Sequence, residues 1–494
     1  MDAIIQGFTL LFHFQNILLI FGGVIIGVIV GALPGLSSPM AIALLLPFTI
    51  GLDPVAAISM MAALYCAGTF GGSITAILIN APGAPPAVAT AFDGYPMAKK
   101  GQPGKALGLA TIASVIGGIF SLIVFIFATP LLASVALSFG PVEYFGLALF
   151  ALSMLASMSG KSSIRNLIAG CVGVLIATIG VHLATGVERF DFGVEELTEG
   201  IHFVPVLIGL FAMSELLTQS QTLDAVMQRM SAKSLKLPSW KELKQLKWCI
   251  LRSSGLGTFI GVLPAEGSTV AAMMGYNEAK RWSAKPELFG TGCAEGIVAP
   301  ESANNAAAGG AMVPTLALGI PGSGTTALIL AALVMHGFKP GPYLITETPH
   351  LVYAIFGAML IANFGFLGIG LVGAKVFSYV TFIPKKFLWP SVFVFSLIGS
   401  YSFSSSMFDV WVMLLSGIIG FFMMRNGFSP APLVMGLILG PMVEETFTQG
   451  MVIHDSSFFQ FFESGVFLIF MGLTVISLSS PFWSNIMKAF TSKK

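Results

Sequence analysis

Charge is what this chain lacks. Of its 494 residues only 10% are Asp, Glu, Lys or Arg, and 55% are hydrophobic, whereas roughly 25% of an ordinary soluble domain is charged. So few charges cannot clothe a water-facing surface of this size, and a soluble globular protein is excluded. The net charge of +1 offers no basic field for a phosphate backbone, so no nucleic-acid partner is expected. Cysteine is equally sparse. Cys66, Cys171, Cys249 and Cys293 stand apart in apolar surroundings, without CxxC and without His at metal spacing, which points to packing rather than to a disulfide framework or a transition-metal site. The histidines His13, His182, His202, His336, His350 and His454 form no HExxH and no triad pattern. An intramembrane enzyme using a Ser or Glu301 would need a general base beside its nucleophile. The sequence supplies none, so the chain is not read as an enzyme. Residues 1–15 lack a basic n-region and a small-residue cleavage site, so the first apolar segment is expected to be retained.

What the chain has instead is long apolar runs. Residues 106–128, 141–158, 164–184, 201–217, 350–378, 388–403, 409–424, 432–443 and 464–480 are each read as membrane helix, the longer ones sufficient to cross about 30 Å of hydrocarbon. A β-barrel would show short dyad alternation. Lys and Arg set orientation, and the most polar stretch, 219–252, carries Arg229, Lys233, Lys236, Lys241, Lys244, Lys247 and Arg252; it is placed in the cytoplasm. Threading from there puts Lys99, Lys100, Lys105, Lys161, Arg165, Lys385, Lys386, Arg425 and the carboxyl terminus inside, with Arg189 and Lys339 as exceptions. Arg252 and the Lys280, Arg281, Lys285 cluster flank one apolar segment. Both its ends want the cytoplasm, which predicts a re-entrant hairpin turning at Pro264–Gly267. Irregular backbone at that depth requires burial in protein or a watery cavity.

The chain also echoes itself. GALPGLSS at 31–38 matches GVLPAEGS at 261–268, and GGSITAILINAPG at 71–83 matches GGAMVPTLALGIPG at 309–322 with a one-residue slip. The charge threading places these halves in opposite orientation. The expected architecture is therefore all-α and polytopic, with about 10–12 membrane segments in two inverted-topology repeats, each containing discontinuous helices or re-entrant hairpins. The boundaries are 1–218 for the first repeat, 219–249 for a cytoplasmic linker and 250–494 for the second. Corresponding interruptions in inverted halves point to a secondary transporter with its site at the repeat interface. A helix restarted after Pro-Gly frees backbone N–H groups at its amino end, where partial positive charge favours an anion.

AILINAPG at 76–83 running into TAFDGYPMAKKG at 90–101, with APESANNA at 299–306 and GIPGS at 319–323, closely resembles the large membrane subunit of tripartite tricarboxylate transporters, the TctA family, over essentially the whole chain. The resemblance implies a bacterial inner-membrane permease that works with a small TctB-like membrane subunit and a periplasmic TctC-like solute-binding protein. It further implies import of tricarboxylates or related carboxylates by symport with Na+ or H+, with no other cofactor. A passive anion channel is the competing reading; it would not concentrate substrate.

The residues at the breaks form the expected substrate site: Ser37, Ser38, Ser73, Asn80 and Gly83 in the first half, and Ser268, Thr269, Asn304, Asn305, Gly322, Ser323 and Thr325 in the second. A lone Ser here reads as a helix cap; convergence of several across two repeats favours binding. Asn304 and Asn305 either hydrogen-bond neighbouring helices or bind cargo beside Glu301. Ionisable residues at membrane depth point to function, so Glu301 and Glu266 are the coupling-ion candidates. Glu301 otherwise sits in an interfacial loop after Pro300, and Glu266 either tunes substrate choice or helps hold a cation. Asp93, in Asp-Gly-Tyr-Pro, reads as a turn residue. The GxGxxG at 368–373 lacks a strand and an acidic partner, and reads as close helix packing.

Overall fold

The computed structural model describes residues 2–155, 163–182, 185–220, 236–264, 267–372 and 385–491. Glu266, Lys161, Arg229 and Lys233, and the ends of the 141–158 and 350–378 segments, lie outside the described residues. The first half runs α1 (Asp2–Leu11), α2 (Phe14–Ala32), α3 (Ser38–Leu45), α4 (Pro54–Ile79), α5 (Ala87–Lys99), α6 (Pro103–Ala136), α7 (Pro141–Met154) and α8 (Ser163–Ala177). A short α9 (Glu195–Thr198) precedes α10 (Phe203–Ile208), which passes through a π turn at Gly209–Met213 into α11 (Ser214–Gln219). Then follow α12 (Trp240–Val262), α13 (Gly267–Trp282), α14 (Glu295–Leu318), α15 (Gly324–Met335), α16 (Pro342–Glu347), α17 (Pro349–Val372), α18 (Lys385–Ser404), α19 (Met407–Arg425), α20 (Pro430–Ile453) and α21 (Gly465–Thr491). Among the described residues five helices are long and apolar enough to cross a membrane: α2, α4, α6, α17 and α19, with further, shorter apolar helices around them. The chain is an all-α, multi-pass membrane protein.

Two helices form the centre. α4 is buried along nearly its whole length and α14 from Gly296 to Ala317. α4 packs on α2 and α17, while α14 packs on α12 and α6. Residues rich in Ala and Gly let these backbones approach closely, which is how helices associate where lipid removes the hydrophobic drive. The close approaches match between halves. A Cβ on Gly71 would lie 2.6 Å from the Val28 carbonyl oxygen and 3.0 Å from the Gly31 Cα. One on Gly310 would lie 2.4 Å from the Thr258 oxygen and 3.1 Å from the Gly261 Cα. Gly71 thus corresponds to Gly310, Gly72 to Ala311 and Gly83 to Gly322. With Gly71 set against Gly310 by this packing, the two stretches align without the one-residue slip. Among the smaller helices, α3 packs on both α4 and α15, and α5 on α4, α14, α6 and α13.

Both breaks after the central helices are built alike. α4 ends at Asn80 in the left-handed region (φ 54°, ψ 30°), with Asn80 and Ala81 N–H groups both donating to the Thr75 oxygen. α14 ends at Gly319 (φ 72°, ψ 17°), with Gly319 and Ile320 donating to the Pro314 oxygen. These left-handed caps close the helix and let the following Pro-Gly redirect the chain.

Several sequence expectations shift. The segment 295–318, dense in Pro and Gly, is one helix through Pro300, Gly309, Gly310 and Pro314; packing on α4, α6, α12 and α13 holds it. Glu301 is therefore in a helix interior rather than a loop. Asp93 lies within α5, which continues to Lys99, because its carboxylate gains tertiary partners there. The expected 164–184 helix stops at Ala177, and Gly180–Val181 pairs antiparallel with Glu188–Arg189. The 432–443 helix extends from Pro430 to Ile453. Cys66 and Cys249 are packed in the interior, but Cys171 is exposed.

Candidate functional site

Three helix amino-termini gather on one turn of α4. Ser37 caps α3 in extended backbone (φ −140°, ψ 155°), its hydroxyl accepting from the Met40 N–H at 3.4 Å. Ser38, the next residue, is buried against α4: a Cβ on Gly68 would lie 2.3 Å from the Ser38 Oγ. Ser323 caps α15 in the same way (φ −157°, ψ 167°), accepting from the Thr326 N–H at 3.2 Å while its own N–H donates to Thr326 Oγ1 at 2.9 Å. The Ser323 hydroxyl lies 3.5 Å from the phenol of Tyr65, which also interacts with the Ser268 hydroxyl at the start of α13. Tyr65 and Gly68 are three apart on one face of α4. Orphan N–H groups at such termini, together with hydroxyls, make a neighbourhood suited to an anion.

Other expected site residues have different surroundings. Ser73 is buried and donates 2.8 Å back to the Phe70 carbonyl, a bond within its own helix. Asn80 is exposed at the end of α4. Gly83 and Gly322 are packing glycines: the Gly83 N–H donates to the Gly72 oxygen at 3.3 Å, and the Gly322 N–H to Thr315 Oγ1 at 3.2 Å. Thr269 is half-buried at the start of α13, and Thr325 is buried in the first turn of α15. On α14, Asn304 Nδ2 donates to the Thr69 carbonyl at 3.3 Å, joining the two central helices, and its Oδ1 has no partner. Asn305 Nδ2 donates to the Glu301 carbonyl at 3.1 Å.

Glu301 is fully buried and held by two hydroxyls, Thr90 of α5 at 2.5 Å and Ser114 of α6 at 2.8 Å. It links three elements. Nearer the end of α5, the Asp93 carboxylate accepts from the Tyr276 hydroxyl (2.9 Å) and from the N–H groups of Gly290 (3.0 Å), Gly292 (2.8 Å) and Cys293 (2.7 Å). That carboxylate fastens the loop before α14 onto the other half of the molecule. Lys100 Nζ adds a bond to the Thr291 carbonyl at 2.7 Å.

A larger cleft of about 520 Å³ opens beside the Gly319 break, between Tyr144, Lys339, Tyr343 and Gln449. Lys339, one of the two cations that do not fit the charge threading, stands on its wall. The other, Arg189, forms a two-pronged ion pair with Glu444, the second bond at 3.0 Å, with His182 Nε2 3.7 Å from the same carboxylate.

Tyr65 and Asp93 escaped the sequence reading as site residues. Tyr65 sits in an unbroken apolar run, yet the repeat register places it opposite Asn304, and that correspondence is the signal that could have found it. Asn363 is a lone amide within the apolar run of α17.

A multi-pass helical membrane protein whose two continuous central helices end in like left-handed caps, with a hydroxyl-rich centre, is the class these features define. The chain belongs to the tripartite tricarboxylate transporter TctA family, whose family model matches residues 17–435. An Agrobacterium vitis protein described as an uncharacterized 52.8 kDa protein in the TAR-I ttuC' 3' region is 40% identical over 441 residues, spanning 89% of this chain and 87% of that protein. A second from the same organism, an uncharacterized protein in the TAR-II ttuC' 3' region, is 37% identical over 225 residues, 45% of this chain and 93% of its own length. No solved structure matches.

Proposed function

We propose that this chain is the permease subunit of a binding-protein-dependent importer in a bacterial inner membrane, carrying tricarboxylates or related carboxylates inward with Na+ or H+. A small membrane subunit and a periplasmic solute-binding protein are its partners. The two halves, 1–218 and 250–494, face opposite ways across a cytoplasmic linker at 219–249; the matched glycine contacts support a repeat, and the distribution of Lys and Arg supports its inversion. The observation that carries the reading is the Tyr65 phenol beside the hydroxyls of both breaks of the other half, Ser268 and Ser323. Helix amino-termini and hydroxyls there would bind carboxylates, and freed carbonyls nearby would hold a cation. Binding the two together lowers the electrostatic cost of burying either. The cleft at Lys339 would lead cargo to the Gly319 break.

The test is uptake into proteoliposomes containing both membrane subunits and the binding protein, with labelled di- and tricarboxylates and with sodium or proton gradients imposed separately. Accumulation above the external concentration is expected under one gradient. Equilibration without accumulation would establish the channel, and no uptake under either gradient would defeat the carboxylate reading. Tyr65→Phe and Ser323→Ala are expected to raise the KM for uptake by about tenfold, the loss of roughly one hydrogen bond to a charged group.

A further inference from the structure

A small cavity of about 10 Å³ lies among Cys66 of α4, Gly118 and Ser121 of α6, Asn305 and Gly309 of α14, and Met359 and Asn363 of α17. A space of about 10–15 Å³ admits one water-sized particle, so no carboxylate fits. Its wall carries oxygen. Asn363 is 2% exposed, and its Nδ2 donates to the Met359 carbonyl at 2.8 Å. That bond settles which end of the amide is which, and the Oδ1 is left buried with no partner. A buried acceptor in that condition is costly, and a bound donor or cation would remove the cost.

The same wall holds further acceptors. Asn305 uses its Nδ2 on the Glu301 carbonyl, leaving its Oδ1 for another partner. The Ser121 hydroxyl donates to the Gly118 carbonyl at 3.0 Å, so its oxygen lone pairs are available. Glycine lets these oxygens come close to the neighbouring backbone: a Cβ on Gly118 would lie 2.1 Å from Asn363 Oδ1, and one on Gly309 2.2 Å from Ser121 Oγ. The lining contains amide and hydroxyl oxygens but no carboxylate, whereas divalent hard cations are held chiefly through carboxylates. Glu301 lies one turn away on α14, where it can offset a single positive charge.

We infer that this cavity is a binding site for one sodium ion, with Asn363 Oδ1, Asn305 Oδ1 and Ser121 Oγ as ligands; the inference rests on the ion-coupled reading and assigns the coupling ion its place. The site sits between α4 and α6 of the first half and α14 and α17 of the second. Occupying it joins the halves, and emptying it leaves orphaned amide oxygens between them, so ion binding is tied to how the halves pack.

The test uses the purified full-length chain in nanodiscs, with sodium alone as probe and no carboxylate. Thermal unfolding is followed as NaCl replaces choline chloride at constant ionic strength, with KCl as a parallel series. The wild type is expected to show a saturable, sodium-specific rise in Tm, by linkage of binding to the folded state. Asn363→Ala should weaken the apparent sodium affinity by about tenfold or more, equivalent to about 1.4 kcal/mol. Asn363→Asp should retain it, and Gly118→Ala, whose Cβ would displace Asn363 Oδ1, should abolish it; these two read the same quantity should Asn363→Ala fail to fold. No sodium-specific rise in the wild type, or an Asn363→Ala response equal to wild type, would mean that the cavity holds a water only and would overturn the inference. Sodium binding without carboxylate uptake would instead overturn the transport reading alone. Sodium-driven uptake with unchanged sodium dependence in Asn363→Ala would remove this site and leave transport standing.

Discussion

Gly83 and Gly31 meet backbone to backbone: a Cβ on Gly83 would lie 1.9 Å from the Gly31 carbonyl oxygen. The Pro-Gly after the first central helix is therefore folded against the helix before the first break, and the two interruptions of that half form one unit. The corresponding Gly322 is less crowded, its Cβ position 2.6 Å from the Ala311 oxygen. Gly83→Ala is expected to destabilise by at least the 1–3 kcal/mol, roughly, that overpacking costs, and more than Gly322→Ala. Unfolding midpoints of the two variants in the same detergent check the order; equal midpoints would show that the first break is not clamped.

Asp93 supports a second prediction. Asp93→Ala leaves the N–H groups of Gly290, Gly292 and Cys293 without their acceptor, at about 1–3 kcal/mol for each that stays buried. The loop at 286–294 should then leave α5 and become far more susceptible to limited proteolysis, with a clear fall in Tm. Asp93→Asn keeps an acceptor oxygen and should lose less. Tyr276→Phe removes one bond only, worth about 1 kcal/mol. A proteolysis pattern unchanged in Asp93→Ala would show that the loop is held by other contacts.

Much of the architecture was legible because its signals are local. Left-handed caps at Asn80 and Gly319 precede Pro-Gly, and the helix starts at Ser37 and Ser323 are ordinary capping chemistry. The signals failed where distant packing overrode local preference. Pro300 and Pro314 weaken a helix by removing N–H donors, but α14 is enclosed by other helices and stays continuous. Asp-Gly-Tyr-Pro is good turn chemistry, yet Asp93 gains a hydroxyl and three N–H partners from residues 276–293 by staying in α5. Tyr65 and Asn363 lie against residues far away in sequence, Ser323 in one case and Gly118 in the other. No window of local sequence contains both members of either pair.

Glu301→Gln separates a structural carboxylate from a functional one. The amide is close in shape and can still meet the Thr90 and Ser114 hydroxyls, so the variant should fold and reconstitute normally. It removes the ionisable carboxylate one turn from Asn305, and ion-driven accumulation should fall by about tenfold or more, on the scale of one charge-assisted interaction. Glu301→Ala should in addition be less stable, since both hydroxyls lose their acceptor. Wild-type accumulation by Glu301→Gln would reduce Glu301 to a tether between α5, α6 and α14.

The final prediction concerns pH. His202 immediately precedes α10, and its Nδ1 lies 3.1 and 3.2 Å from the two carboxylate oxygens of buried Asp409, which also accepts from the Ser404 hydroxyl. The hydrogen bond to Asp409 raises the imidazole pKa above its ordinary value; partial burial opposes this, and the charges of Asp409 and Glu199 add to the rise. A group whose folded pKa exceeds its unfolded one contributes stability that is fully present below the unfolded value, about 6.5 for His, and is lost as pH rises through the folded value. The Tm difference between wild type and His202→Gln should therefore be largest near about pH 5.5 and shrink steadily toward about pH 8.5. In Asp409→Asn the imidazole loses the partner that raises its pKa, so a further His202→Gln change should add little pH dependence. A difference that stays flat across this range, or grows with pH, would show that the protonated His202–Asp409 pair does not help hold α10 against α19.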